Sequence, residues 1–253
     1  MDFTIEELSM NAWPSLQTLV YDGWILRLSD GYGHRANSVN PIYPSKIKLE
    51  KKIAYCDELF TQHNIPTAFK LVDCEEHRKI NQKLEKLSYR VINETSIQVC
   101  NLKDTFRPSG GIMISGDFCD RWIKSIIEFN KIDEKNQAVL RKILHNIRVK
   151  KIVAHKELDG KIIGCGCGII ENGYAGIFDI VVQEKERGKG YGREIVEAIL
   201  AEAVKLGIKK SYLQVMLNNP VALQLYKKLG YREKYQYWYR KKITPFQKET
   251  QPV

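Results

Sequence analysis

Apolar residues return along this chain in two rhythms, a three- or four-residue step and a short run. In the second half Ile195, Val196, Ile199, Leu200, Ala203 and Leu206 mark one face of a helix that starts near Arg193, and Gly207 supplies a left-handed stop. A Val-rich run at 178–182 precedes that helix and a strand at 210–217, with Tyr212, Leu213 and Val215, follows it. Pro220 then opens a second helix carrying Val221, Ala222, Leu225 and Leu229, with Asn219 as its N-cap. Upstream, Trp122, Ile126 and Phe129 predict a helix over 117–130, and Val139, Ile143 and Ile147 one over 134–146. Strands are predicted at 151–157, 161–170 and 234–241. In the middle one Gly164, Gly166 and Gly168 share a face opposite Cys165 and Cys167, a stripe that lets a helix or ligand approach or packs closely. In the last, Tyr235, Tyr237 and Tyr239 share one face, which suits an aromatic pocket or a packed edge.

The same order recurs in the first half. Val182 and Ile208 are 26 positions apart, as are Val39 and Ile65. From Ile208 to Tyr231 is 23 positions, and from Ile65 to Tyr89 is 24. Asp22-Gly23 and Asp159-Gly160 form corresponding turns. The expectation is a mixed α/β protein made of two tandem copies: an N-terminal domain at 1–105, a linker at 106–116 containing Gly110-Gly111, a second domain at 117–245 and a polar tail at 246–253. At 253 residues each copy has about 125, an ordinary domain size.

Composition narrows the class. Hydrophobic residues make up 43% of the chain, enough for two cores, and no apolar run reaches the ~18 residues a membrane helix needs. The start Met-Asp-Phe-Thr-Ile-Glu-Glu lacks a signal-peptide pattern, so a cytoplasmic protein with no membrane partner is expected. The six cysteines and five histidines fall in no metal-ligand spacing, and reduced thiols with no metal are expected. The net charge of +10 suits an anionic ligand; the lysines are spread over both halves and no nucleic-acid motif accompanies them, so nucleic acid is set aside as a partner.

The tract Arg187, Gly188, Lys189, Gly190, Tyr191, Gly192, Arg193 lies between the Val-rich strand and the helix. A helix start offers unpartnered amides and a positive dipole end, and glycines let an anion reach the backbone, so a diphosphate is the expected occupant. The tract ends Gly192-Arg193-Glu194, without the lysine and hydroxyl of a nucleotide triphosphate loop, and position 193 is arginine where a dinucleotide loop needs its third glycine. The spacing Arg187, Gly190, Gly192 resembles the acetyl-CoA loop of the GNAT superfamily of N-acetyltransferases. The run from Asn219 through Ala222, Leu225, Tyr226 and Gly230 to Tyr231 is similar to a second signature of that superfamily. The stretch from Asn11 through Trp24 to Val39 also looks like the leading domain of two-domain bacterial members.

The resemblance implies acetyl-CoA as cosubstrate. It implies pantetheine along the backbone of Ile180, Val181 and Val182, diphosphate on residues 187–193, a cofactor contact from Asn219, and Tyr226 as the general acid for the leaving thiolate. In some members a strand glutamate relays the amine's proton; Gly176 stands at that place here, and the nearest carboxylates are Glu171 and Asp179. Strict alternation turns Asp179 away from Ile180 and Val182 unless a bulge intervenes. The amine then arrives neutral or loses its proton through water. In the first half, Lys46 and its neighbours at 44–49 replace the glycine loop, His77 stands opposite Asn219, and Leu84 opposite Tyr226. One catalytic copy and one degenerate copy follow. The implied activity is acetyl transfer to a primary amine on a small molecule or peptide by direct attack; the alternative is a non-catalytic acyl-CoA-binding or scaffolding protein. A monomer is expected, the two copies pairing within one chain.

Overall fold

A computed structural model of the protein describes residues 3–102, 106 and 110–242. They form two compact units. The first holds the chain up to Ser96, Met216–Asn218 and the described residues from Tyr235; the second holds Ile97–Val215 and Asn219–Lys234.

The first unit opens with helix α1 (Thr4–Ala12), which buries Ile5, Leu8 and Ala12. Those three residues carry helical spacing, and the helix adds to the elements expected from sequence. Antiparallel strands β1 (Gln17–Tyr21), β2 (Trp24–Leu28) and β3 (Ser38–Pro41) follow, then helix α2 (Leu49–Gln62), strand β4 (Ala68–Val72) parallel to β3, and helix α3 (Glu75–Lys86). Strand β5 (Tyr89–Asn101) starts in this unit, and β11 (Arg232–Lys242) ends in it, antiparallel to β4 from Tyr237 opposite Val72 to Lys241 opposite Ala68. Trp24, Leu26, Phe60, Phe69, Leu71 and Leu84 are buried in its core. Asn37 latches the β2–β3 loop: its Oδ1 accepts from the amides of Ser29 and Gly31, and its Nδ2 donates to the carbonyls of Ser29, Tyr32 and Gly33. Buried Lys70 on β4 pairs with buried Glu6 at 2.6 Å, and Tyr235 donates to the other carboxylate oxygen at 2.9 Å.

The second unit contains β6 (Ile112–Ser115), helices α4 (Asp120–Phe129) and α5 (Glu134–Asn146), strands β7 (Lys150–Leu158), β8 (Lys161–Glu171) and β9 (Tyr174–Val182), helix α6 (Tyr191–Lys205), strand β10 (Lys210–Met216) and helix α7 (Pro220–Lys228). Its sheet runs β5-β10-β9-β8-β7-β6, antiparallel from β6 to β9 and parallel between β9 and β10. Thus each unit repeats three antiparallel strands, a helix, and a strand parallel to the third. Asp133 caps α5 by accepting from the Asn136 amide at 2.9 Å, and Trp122 of α4 donates its indole N–H to the Ala154 carbonyl at 3.0 Å.

Two expectations change. Ile112–Ser115, expected in the linker, is a strand paired with β7; it follows the Gly110-Gly111 turn, and Ile112 and Ile114 suit a sheet edge. The compact units are discontinuous rather than 1–105 and 117–245, because the end of β11 pairs with β4 and buries Tyr237 and Tyr239 in the first unit. Those tyrosines are core residues there, the packed-edge alternative. Helix α6 begins at Tyr191, within two residues of the expected start. The polar tail at 246–253 lies outside the described residues. No helix among the described residues is long and apolar enough to cross a membrane.

Candidate active site

The parallel pairing of β9 with β10 runs from Tyr174 opposite Lys210 to Ile177 opposite Leu213 and then stops. Beyond it β9 continues to Val182 and β10 to Met216, leaving a wedge between them. A bulge shapes its β9 side. The β8–β9 register slips by one between Cys165 and Cys167, and Asp179 sits at φ +53°. Asp179 and Ile180 together oppose Gly166, so the alternation expected from sequence breaks at the one place where it would have turned Asp179 away.

The hydrogen-bond ladder then tells which backbone groups face the wedge. Gln183 donates its amide to the Ile163 carbonyl at 2.8 Å and Val181 pairs with Cys165 two steps on, so Val181 turns its amide and carbonyl toward β8. Ile180 and Val182 turn theirs away from β8; the Val182 carbonyl accepts from Arg187 Nε at 3.2 Å. Of the three strand residues expected to meet pantetheine, Ile180 and Val182 turn main-chain groups toward the wedge and Val181 does not.

The stripe of glycines on β8 is explained by α6. A methyl group on Gly166 would lie 2.4 Å from Ile180 Cδ1 and 2.8 Å from Ile195 Cγ2, and one on Gly168 would lie 2.5 Å from Ile199 Cγ2. The glycines let the helix descend onto the strand and hold its N-terminus beside the end of β9. Ile180 and Val182 pack on the cluster that contains Ile195, Val215 and Tyr226.

At the turn into α6, Gly188 (φ +81°) and Gly190 (φ +89°) adopt left-handed conformations, with open space where side chains would stand. The first helical bonds run from the amides of Arg193 and Glu194 to the Gly190 carbonyl, at 3.0 and 3.2 Å. The amides of Lys189, Gly190, Tyr191 and Gly192 make no backbone hydrogen bond among the described residues. Lys189 pairs with Glu186 at 2.9 Å and Arg193 with Glu197 at 2.9 Å, while exposed Arg187 has no carboxylate partner among the described residues. Free amides over an open left-handed turn, with cations around them, fit a diphosphate; the open strand edge beside it fits the amide-bearing arm of acetyl-CoA.

Helix α7 carries the other expected residues. Asn219 caps it, its Oδ1 accepting from the Ala222 amide at 3.1 Å, and Pro220 takes the first helical position. Tyr226 lies two turns further along the same face and is 8% exposed. Burial alone pushes its phenol up to about 12, so it is protonated at neutral pH. Its ring meets that of Tyr231 at 5.9 Å, edge to face.

Where the strand glutamate of the resemblance would stand, a side chain on Gly176 would lie 2.6 Å from the Tyr212 ring and hydroxyl and 2.7 Å from Phe178. Tyr212 is 2% exposed and packs edge to face on Phe178. The glycine is required by this packing, and the place of the base is filled by aromatic rings.

In the first unit, the positions matched by spacing to Asn219 and the glycine turn are tied by hydrogen bonds to their own neighbours. His77 bridges the ends of β3 and β4: its Nδ1 accepts from the Val72 amide at 2.8 Å and its Nε2 donates to the Pro41 carbonyl at 2.6 Å. Before α2, the Asp22 carboxylate accepts from Ser45 Oγ at 2.7 Å and from the amides of Lys46 and Ile47, where an anion would sit, and these bonds hold it well below the usual carboxylate range. Buried Lys52 closes the arrangement, 3.2 Å from Asp22 and over the Trp24 ring.

Residues 122–231 match the acetyltransferase (GNAT) family. An uncharacterized N-acetyltransferase of Bacillus subtilis, YobR, is 24% identical over 242 residues, covering 93% of this chain and 96% of the relative. Among solved structures, a GCN5-related N-acetyltransferase from Kribbella flavida aligns over 95% of each chain with a TM-score of 0.67 and 12% identity. A tandem GNAT protein from the clavulanic acid biosynthesis pathway aligns over 94% of this chain and 87% of its own, with a TM-score of 0.62 and 12% identity. At these identities the structural likeness establishes the fold.

Proposed function

Because residues 122–231 match the acetyltransferase (GNAT) family and the relative spanning the chain is an N-acetyltransferase by name, we propose that the protein is an acyltransferase that transfers acetyl from acetyl-CoA to a primary amine by direct attack, using one site, built wholly from the second unit. Bound acetyl-CoA supplies a thioester carbonyl whose C–S bond breaks as the amine's C–N bond forms. The amides at 189–192 hold the diphosphate end, and the wedge-facing groups of Ile180 and Val182 orient the arm. Tyr226, buried and protonated, gives its hydroxyl proton to the departing thiolate and regains one from the amine's nitrogen by way of water. Asn219 holds α7 at the mouth of the wedge, which places Tyr226.

Aromatic rings fill the place of a strand carboxylate, so the amine reaches the carbonyl neutral. The rate then rises with the neutral fraction of the amine. The first unit reads as a degenerate copy, since His77 and Asp22 close the wedge and the cradle that the second unit leaves open. The acceptor is a small-molecule or peptide amine and the chain acts as a monomer.

The observation that carries this reading is the buried, protonated Tyr226 in one cluster with the wedge residues Ile180 and Val182. Tyr226→Phe tests it. Thiol release from acetyl-CoA, followed with a panel of primary amines from benzylamine to lysine peptides, should fall on the order of 10²-fold in kcat, while acetyl-CoA binding stays within about twofold because only the hydroxyl is lost. Equal losses in binding and turnover would remove Tyr226 from the acid role.

A further inference from the structure

The hydroxyl of Tyr226 makes no hydrogen bond to any described residue, so the packing of its ring in the apolar cluster, with Tyr231 edge to face, sets where the phenol oxygen lies. The ring it packs on is tied down. Tyr231 is 3% exposed, and its hydroxyl lies 2.6 Å from Ser211 Oγ, which lies 2.7 Å from the Ala175 carbonyl. A carbonyl only accepts, so Ser211 gives its proton to Ala175, and Tyr231 must donate to Ser211. Ala175 and Ser211 are opposite one another in the β9–β10 pair, two residues before the pairing ends at Ile177 and Leu213. The chain of bonds therefore fixes the Tyr231 ring to the root of the wedge. Its amide also donates to the Tyr226 carbonyl at 3.0 Å, tying the end of α7 to the same anchor.

We propose that Tyr231, held by Ser211, is a positioning residue that sets the orientation of Tyr226 for proton delivery; this rests on the reading of Tyr226 as the acid. The ring wall fixes the phenol on one side, and the hydroxyl anchor keeps that wall from turning. Proton transfer needs the donor within hydrogen-bond reach of the sulfur, and small displacements of an acid cost much of its effect. Loss of the anchor should lower turnover without touching the groups that hold acetyl-CoA.

The test is a double-mutant cycle on the full chain. Tyr231→Phe keeps the ring and leaves Ser211 its bond to Ala175. It should lower kcat for thiol release about 3- to 10-fold, with water or with benzylamine as nucleophile, and leave the acetyl-CoA Kd from calorimetric titration within about twofold. In the Tyr226→Phe background the same change should have no further effect on kcat, because the group it positions is gone. Ser211→Ala removes the anchor from its other end and should reproduce the kcat loss, which keeps the test available if Tyr231→Phe folds poorly. An equal kcat loss in both backgrounds, or a Kd loss that follows kcat, overturns the positioning role and leaves Tyr226 as the acid. An unchanged kcat in Tyr226→Phe overturns the acid reading instead, and the positioning role with it.

Discussion

The glycines beneath α6 offer a perturbation whose size follows from the packing. In Gly166→Ala the new methyl would meet Ile180 Cδ1 at 2.4 Å and Ile195 Cγ2 at 2.8 Å. The first contact is with a chain end that can rotate. The second is with the β-carbon branch of an isoleucine in a helix, whose χ1 is strongly fixed. Reaching the 3.4 Å of ordinary contact therefore requires β8 or α6 to move by several tenths of an ångström. Overpacking of this kind costs about 1–3 kcal/mol, and the alanine returns about 0.4–1 kcal/mol by restricting the unfolded chain. The net loss is about 1–2 kcal/mol, or a Tm drop of about 3–8 °C for a unit of this size. The shift also moves Ile180 and the first turn of α6, so acetyl-CoA affinity should fall with stability. Differential scanning calorimetry and titration of the same variant measure both. Gly166→Ala combined with Ile180→Val removes the Cδ1 clash and should recover part of each loss. A Gly166→Ala protein with unchanged Tm and unchanged affinity would refute the claim that the stripe exists to seat α6 on β8.

Two further predictions concern the first unit. Lys70→Met leaves the Glu6 carboxylate, 1% exposed, without its cation; it should cost about 3–5 kcal/mol in urea unfolding, with part recovered by adding Glu6→Gln, and a cost near zero would contradict the buried-pair account. Burial lowers His77 and lowers His34 to about 4. A depressed folded-state value means stability fully present above the unfolded value near 6.5 and lost as pH falls through it, on the order of 3 kcal/mol for His34 by pH 4. Trp13, Trp24 and Trp238 lie in this unit, so the fluorescence-detected urea midpoint should fall between pH 7.5 and 5, and a flat or rising midpoint would contradict the assignment.

Local signals carried most of the second unit. The α6 periodicity, the glycine turn and the Asn219-Pro220 start each depend on neighbours within a few residues, and all three stand where the pattern placed them, within two residues at the start of α6. Val39 and Val182, matched by spacing, both lie in strands that precede a helix, Val182 at the end of β9 and Val39 two residues before the end of β3. What was not legible depends on distant partners. The pairing of β11 with β4 joins residues some 165 positions apart, and no local pattern distinguishes that partner from another. The contacts of His77 with Pro41 and of Asp22 with residues 45–47 join residues 36 and 23–25 positions apart, beyond the reach of a local pattern. The bulge at Asp179 inserts one residue without altering composition, and Ser211 carries no signal at all until Tyr231 is brought beside it. Helix α1 and strand β6 are legible in principle, through Ile5, Leu8 and Ala12 and through Ile112 and Ile114, the latter beside the Gly110-Gly111 turn.

The central claim is that one unit keeps an open wedge and cradle while the other has closed both with its own side chains. Calorimetric titration of acetyl-CoA into the full chain tests it before any acceptor is known. The account predicts one site per chain, abolished by Gly190→Trp, which fills the open turn with a side chain, and unaffected by His77→Gln. Two sites, or a single site that survives Gly190→Trp and is lost in His77→Gln, would contradict it.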